Sequence, residues 1–165
     1  MTSGGRIVGI DLGTERIGIA VAAAGSRNDG RDHDPGERAH PLGTLRRAPT
    51  VQADIAAIVA LLGGELPVEV VLGLAFEASG TEGPQARLTR EWAAEAEPLL
   101  GRTIRFRDER LSSHLAEERI GPMKHGRSGG PPTPTQRRAY RARVDREAAA
   151  IILQDELDAR VHDAS

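Results

Sequence analysis

The order of hydrophobic and polar residues predicts strands first, and helices alternating with strands afterwards. Residues 6–10 and 17–22 have strand-like apolar patterns, and the short connection 11–16 between them predicts a β-hairpin. Residues 23–39 are polar and rich in glycine and charge, which predicts a mobile loop. Residues 41–45 are the candidate for a third strand.

The pattern then changes to a helical period. Between Thr50, which is suited to begin a helix, and Gly63, which is suited to end one, four apolar side chains have the i, i+3, i+4, i+7 spacing: Ile55, Ile58, Val59 and Leu62. The apolar run 68–74 predicts a buried central strand.

A second helix is predicted between Pro84 and Gly101, because proline favours the first turn and glycine favours the end. Its apolar face is expected to consist of Leu88, Trp92, Ala96 and Leu99. Residues 103–107 alternate as a further strand does.

The C-terminal part contains two predicted helices separated by a loop. Ser112 or Ser113 begins the first, and the basic segment 121–132, rich in glycine and proline, predicts a second mobile loop. The last helix starts with a capping box and an N-terminal proline, formed by Thr133, Pro134 and Gln136. This order of elements predicts a mixed α/β sheet with helices packed on its faces, in a single domain 1–165.

Composition narrows the class of protein. The 165 residues include no cysteine, which excludes disulfides and thiolate zinc sites. No apolar run approaches the roughly 20 residues that span a bilayer, and no signal-peptide pattern is seen, so a cytoplasmic location away from membranes is expected. Between residues 119 and 146 the chain is strongly basic and has only Asp145 as a counter-charge. This stretch either binds a polyanion such as nucleic acid or forms a solvated helix face.

Acidic residues occur where three predicted elements could bring them together. Asp11 ends the first strand, Asp108 and Glu109 end the strand after the second helix, and Asp145 lies on the apolar side of the last helix. Convergent carboxylates on rigid elements suit Mg²⁺ or Mn²⁺, and two such ions can assist phosphodiester hydrolysis. This chemistry predicts a metal-dependent nuclease site.

Each acid also has a structural interpretation. Asp11 could form a tight turn, Asp108 and Glu109 could pair with neighbouring arginines, and Asp145 could pair with Arg141 one turn away. Strand parity does not decide whether Asp108 or Glu109 faces the other acids.

Four segments resemble the YqgF/RuvX family: 9–21, 71–86, 108–112 and 144–154. The resemblance implies an RNase H-like fold, related to that of Holliday junction resolvases, and a cytoplasmic role in ribosome biogenesis, the maturation of the 5′ end of 16S ribosomal RNA. The family's acidic site would fall on Asp11, Glu109 and Asp145, as catalytic and metal-binding residues, which favours Glu109 over Asp108. The chain departs from the family pattern after the central strand, where Ala75 replaces the usual proline and residues 76–79 are atypical.

The expected function is that of a metal-dependent endonuclease, a hydrolase acting on precursor 16S rRNA or a pre-ribosomal particle. Two alternatives are a Holliday junction resolvase acting on branched DNA and a catalytically inactive module that binds ribosomal RNA. Substrate contacts are expected from arginines beside the acids and along the last helix: Arg16, Arg110, Arg137, Arg138 and Arg141. Aromatic residues make up only 2% of the chain, so no base-stacking platform is expected.

Overall fold

Five strands form one mixed sheet in the order β3-β2-β1-β4-β5. The structure, a computed structural model, describes residues 5–25, 38–109, 112–126 and 128–163. The strands are β1 (Arg6–Leu12), β2 (Arg16–Ala23), β3 (His40–Arg46), β4 (Glu69–Leu74) and β5 (Ile104–Asp108). The helices are α1 (Val51–Leu61), α2 (Pro84–Leu100), α3 (Ser112–Ile120) and α4 (Pro134–Asp163).

The sheet has an antiparallel half and a parallel half. Strands β1, β2 and β3 form an antiparallel meander, whereas β1, β4 and β5 run parallel to one another. The parallel strands are joined through helices, as parallel neighbours require. This is the RNase H-like arrangement, and the predicted hairpin and mixed sheet are confirmed.

Each face of the sheet is covered by different helices, because side chains of a strand point alternately to the two sides. Val8 and Ile10 of β1 pack in a core together with α1 and α2. Ile7 of β1 lies in a second core, which includes Ala149 and Leu153 of α4. The odd-numbered positions of β1, including Asp11, therefore lie on the α4 side.

Glycines allow α4 to approach the sheet very closely. A Cβ at Gly18 of β2 would collide with the backbone of Asp145, and one at Gly9 of β1 would collide with Leu153 and the carbonyl oxygen of Ala149. Only a strand position without a side chain permits such a backbone approach. The position of Asp145 is therefore fixed by direct contact between the α4 backbone and the sheet.

The predicted ends of the helices are confirmed in two places by hydrogen bonds. The Thr50 side chain accepts a bond from the Ala53 amide at 3.2 Å, so it caps α1. At the start of α4 the Thr133 amide donates to Gln136 Oε1 at 2.8 Å, and the Gln136 amide donates to Thr133 Oγ1 at 3.2 Å. These two bonds form the reciprocal capping box.

The predicted apolar face of α2 is partly wrong. Leu88 and Leu99 are 56% and 42% exposed, whereas Trp92 and Ala96 are buried as expected. The rotation of the helix is set by Trp92, whose Nε1 donates to the buried carboxylate of Asp54 at 3.0 Å. The face that packs inward is formed by Ala86, Thr89, Trp92, Ala93, Ala96 and Leu100.

The two predicted mobile loops are described only in part. Residues 26–37 of the first and residue 127 of the second lie outside the described residues. Near the second loop, the Tyr140 hydroxyl donates to the Gly121 carbonyl at 3.0 Å, which attaches the end of α3 to α4. Among the described helices, none has both the length and the apolar character that crossing a bilayer requires.

Candidate active site

Asp11 lies next to the carboxyl end of β1, on the face that α4 covers. Its backbone is paired with Gly18 of β2, so its position is fixed by the hairpin. Burial raises the pKa of Asp11 to about 6; the hydrogen bond with Glu109 and the charge of Arg16 oppose the rise, and the charge of Asp145 adds to it. The carboxyl group of Asp11 is thus close to both other predicted acids.

Glu109 follows β5, and its backbone is held by its neighbours. Its amide donates to the Leu74 carbonyl at 3.2 Å, and the Ser112 hydroxyl donates to the Glu109 carbonyl at 2.7 Å. Burial raises the pKa of the Glu109 carboxyl to about 8, and the adjacent Asp11 carboxyl raises it further through its charge and its hydrogen bond. Oε2 of Glu109 is buried and has no hydrogen-bond partner among the described residues.

Gly73 of β4 makes the approach of Glu109 to Asp11 possible. Strand β4 lies between β1 and β5, and their parallel carboxyl ends meet at one edge of the sheet. A Cβ at Gly73 would collide with Glu109 Oε2 and with Ile152 of α4. The Glu109 side chain therefore passes over β4 through the space that this glycine leaves. Gly73 was not among the predicted functional positions, although a glycine inside a predicted buried strand is a signal of close approach.

Asp145 is held by an arginine from another element. Its Oδ2 accepts a hydrogen bond from Arg16 Nε at 2.5 Å. The alternative partner considered from the sequence, Arg141 on the same helix, is exposed, and the ion pair goes to β2 instead. Arg16 was predicted to contact substrate; in this structure its guanidinium neutralises an acid, and Nη1 also lies 3.5 Å from Glu15 Oε2.

The structure therefore brings Asp11 and Glu109 into one half-buried pair, with Asp145 and Arg16 beside them. Within the described parts of the chain, no set of three or more Asp, Glu or His side chains has the spacing of a metal site. The donor set still suits a hard divalent cation, because it consists of carboxylate oxygens, one of which is buried and has no partner among the residues that the structure describes. Burial is the main cause of the raised pKa values of both acids, and their mutual proximity adds to the rise at Glu109, so a bound cation would favour the ionised form of the pair.

The choice between Asp108 and Glu109 agrees with the geometry. Asp108 has an exposed side chain, whereas Glu109 points towards Asp11. The neighbouring Arg107 pairs with buried Glu156 of α4, Nη1 to Oε2 at 3.5 Å. It is therefore engaged away from the acid pair.

The predicted substrate contacts on α4 form an exposed surface that leads towards the acids. Arg137, Arg138 and Arg141 are exposed on its first turns, and Arg137 Nη1 donates to the Pro132 carbonyl at 2.8 Å. At 100° and 1.5 Å per residue, Arg138 and Arg141 share a face with Asp145 and precede it by roughly 10 and 6 Å along the axis. Arg110 lies outside the described residues.

Fold and acids together define a class of protein, the RNase H-like nucleases. A sequence model of the RuvX family, described as Holliday junction resolvase, matches residues 5–159. The chain belongs to the RuvX family, whose members are nucleases that hydrolyse phosphodiester bonds.

Relatives of similar length support the family assignment. A protein of Anaeromyxobacter dehalogenans (strain 2CP-1) is 39% identical over 155 residues, which cover 94% of this chain and 98% of the relative. A protein of Roseiflexus sp. (strain RS-1) is 36% identical over 157 residues, covering 94% of this chain and 96% of the relative. Both are named as proposed pre-16S rRNA nucleases.

Among solved structures, the chain is similar to Thermus thermophilus RuvC in complex with a Holliday junction substrate. The TM-score is 0.45 and the identity 13%, over 89% of this chain and 90% of that chain.

Proposed function

We propose that the protein is a metal-dependent endonuclease that matures the 5′ end of precursor 16S rRNA in the cytoplasm, on free RNA or on a pre-ribosomal particle. The observation that carries this proposal is the half-buried pair of Asp11 and Glu109 at the carboxyl edge of the sheet, in which Glu109 Oε2 is buried and has no hydrogen-bond partner in the described parts of the chain. The RNA substrate is taken from the names of the relatives.

Asp11, Glu109 and Asp145 would hold Mg²⁺ or Mn²⁺, as a site for two ions. Such ions supply an activated water and stabilise the charge on the leaving oxygen. Without a cation, Glu109 retains its proton at neutral pH because its pKa is about 8. Binding of a cation would release that proton, since a carboxylate ligand must be ionised.

Arg16 has two functions in this proposal. It neutralises Asp145 in the absence of substrate, through the 2.5 Å bond to Oδ2. When substrate binds, its guanidinium contacts a phosphate near the cleaved bond, for which its planar donors are suited. Arg110 would do the same from the other side of the acids, and further arginines would hold the RNA backbone along α4: Arg137, Arg138 and Arg141.

A second candidate function is the resolution of branched DNA, because the matching family is described as Holliday junction resolvase. The chemistry at the acids would be the same. The two functions differ in the nucleic acid that the surrounding arginines and loops select, and a resolvase needs two sites in a symmetric dimer to cut two strands.

The test is incubation of the protein with a 16S precursor and with a branched DNA, each with Mg²⁺, with Mn²⁺ and with chelator. We expect metal-dependent cleavage near the 5′ end of the mature RNA. Cleavage of branched DNA alone would favour the resolvase, and cleavage by metal-stripped protein in chelator would contradict a metal-dependent site. Binding of the RNA without cleavage under every condition would instead favour the inactive binding module.

A further inference from the structure

A cleft of about 880 Å³ lies next to Glu109, at the edge strand β5. It borders the acid pair directly, since Leu74 accepts the Glu109 amide bond and Ser112 donates to the Glu109 carbonyl, and both residues line the cleft. Its volume lies in the range of pockets that enclose a small molecule, roughly 300–1,000 Å³. Its apolar lining consists of Leu74, Phe76, Phe106, Leu115 and Ile151.

Two of the four aromatic side chains of this protein line the cleft. The chain has two phenylalanines, one tryptophan and one tyrosine, and both phenylalanines line this space. Trp92 is buried in the core and Tyr140 bonds to Gly121, so neither is part of it. The low aromatic content argued against a stacking platform, but the fold collects the two phenylalanines beside the acids.

Phe76 is held in place by a tightly bonded turn. It forms a bridge with Glu82, the Glu77 amide donates to the Thr81 carbonyl at 2.8 Å, and the Ser79 and Thr81 hydroxyls lie 2.7 Å apart. The side chain of Phe76 is half-buried. Because the backbone that carries this ring is already held, less conformational freedom is lost when a ligand stacks on it.

An arginine lies over the ring of the second phenylalanine, Phe106. The guanidinium carbon of Arg90 lies 4.7 Å from the centre of the Phe106 ring, and a bidentate ion pair with Glu82 holds the arginine there. Planar guanidinium groups and aromatic rings are the surfaces on which proteins stack unpaired bases. Because Glu82 also forms the β-bridge with Phe76, it links the Arg90–Phe106 pair to the turn that holds Phe76.

The charges around the cleft disfavour an anionic ligand. Its charged side chains are Arg90, Arg107, Asp108 and Asp155. Arg90 is paired with Glu82, and Arg107 with Glu156. A phosphate would find no excess of positive charge here, whereas a nucleobase would find apolar surfaces and hydrogen-bonding groups at its edges.

We propose that this cleft binds one unpaired nucleobase of the substrate, next to the phosphate that is cleaved, with Phe76 as the stacking surface. The proposal rests on the proposed nuclease function, because the occupant is a nucleotide of the same strand that reaches the acids. It makes an unpaired nucleotide beside the cleavage point a requirement for tight binding.

The test compares two fluorescently labelled RNAs of the same sequence, a fully paired duplex and one with an unpaired nucleotide at the cleavage point. Binding is measured by anisotropy in chelator. We expect Phe76→Ala to weaken binding of the RNA with the unpaired nucleotide by about 5- to 100-fold, as the loss of one stacked base does, and to leave duplex binding unchanged. Phe76→Trp should restore binding, whereas Phe76→Leu, which keeps apolar volume without an aromatic ring, should not.

Leu88→Ala is the matched control, since Leu88 is an exposed apolar residue of α2 that does not line the cleft. Equal losses for both RNAs, no loss for either, or full binding by Phe76→Leu would overturn the proposal. Melting temperatures establish that each variant is folded. Cleavage by the wild-type protein is measured separately with Mg²⁺, so absence of cleavage contradicts the nuclease function, while absence of the binding difference contradicts only the base pocket.

Discussion

Replacing Glu109 with glutamine should stabilise the metal-free protein at pH 8 and not at pH 5. In the folded state the Glu109 carboxyl has a pKa of about 8, against an ordinary value of 4.5. Between these two values the folded state binds more protons than the unfolded chain, so the free energy of unfolding falls as the pH rises. Glutamine removes this dependence because it carries no proton to lose, and its amide can donate to Asp11.

The magnitude follows from the pKa. Each pH unit between the two pKa values corresponds to about 1.4 kcal/mol, so the raised pKa of Glu109 lowers the free energy of unfolding above pH 8 by at most about 5 kcal/mol. Because the acid pair shares this effect with Asp11, we expect Glu109→Gln to recover on the order of 2–4 kcal/mol at pH 8.

The assay is urea denaturation in chelator at several values between pH 5 and pH 8, for the wild type and Glu109→Gln. Glu95→Gln, an exposed glutamate on α2, is the control and should follow the wild type. Added Mg²⁺ should stabilise the wild type more than Glu109→Gln, because a ligand that binds only the folded state adds to its stability. A Glu109→Gln variant that is less stable than the wild type at pH 8 would refute the reasoning.

Three further predictions follow from the same contacts. Asp145→Asn should lower the free energy of unfolding by about 1–2 kcal/mol, because it weakens the part-buried ion pair with Arg16, and it should also reduce cleavage. A melting temperature at or above that of the wild type would contradict a stabilising role of this ion pair. Gly73→Ala should lower the free energy of unfolding by about 1–3 kcal/mol and abolish cleavage, because the added Cβ displaces the Glu109 side chain. The control Gly130→Ala, where a Cβ meets open space, should change neither property, and a fully active Gly73→Ala would refute the role of Gly73 in positioning Glu109. Replacing Arg137, Arg138 and Arg141 together with alanine should weaken the salt dependence of nucleic-acid binding. The slope of log binding constant against log salt concentration should become less steep by roughly 0.7 to 0.9 for each lost phosphate contact. An unchanged slope would indicate that this surface is only a solvated helix face.

The elements of the fold could be predicted because their signals are local. The hairpin, the capping box at Thr133 and the buried strand β4 all follow from residues within a few positions of one another. The rotation of α2 could not be predicted, since it depends on the bond from Trp92 to Asp54, which are 38 residues apart. Leu88 and Leu99 were placed inside by their spacing alone.

The acids that lie together in the structure could be selected from the sequence, but their partners could not. Residue type and position on the predicted elements were enough to select Asp11 and Asp145, and the family resemblance selected Glu109. That Arg16 rather than Arg141 binds Asp145 depends on the packing of α4 against β2, across 129 residues. Because a long-range contact prevails over a helical neighbour here, spacing on one helix gave the wrong partner.

The glycines under α4 imply that the two sides of the sheet tolerate change differently. On the α1 and α2 side, large apolar side chains fill the space between the layers, and such a core adjusts to substitutions of similar volume. On the α4 side the helix backbone rests directly on Gly9 and Gly18, and no flexible side chain lies between them to absorb a shift. Engineering for thermal stability should therefore be confined to the α1 and α2 side, where changes in the core do not displace the carboxylates of the candidate site.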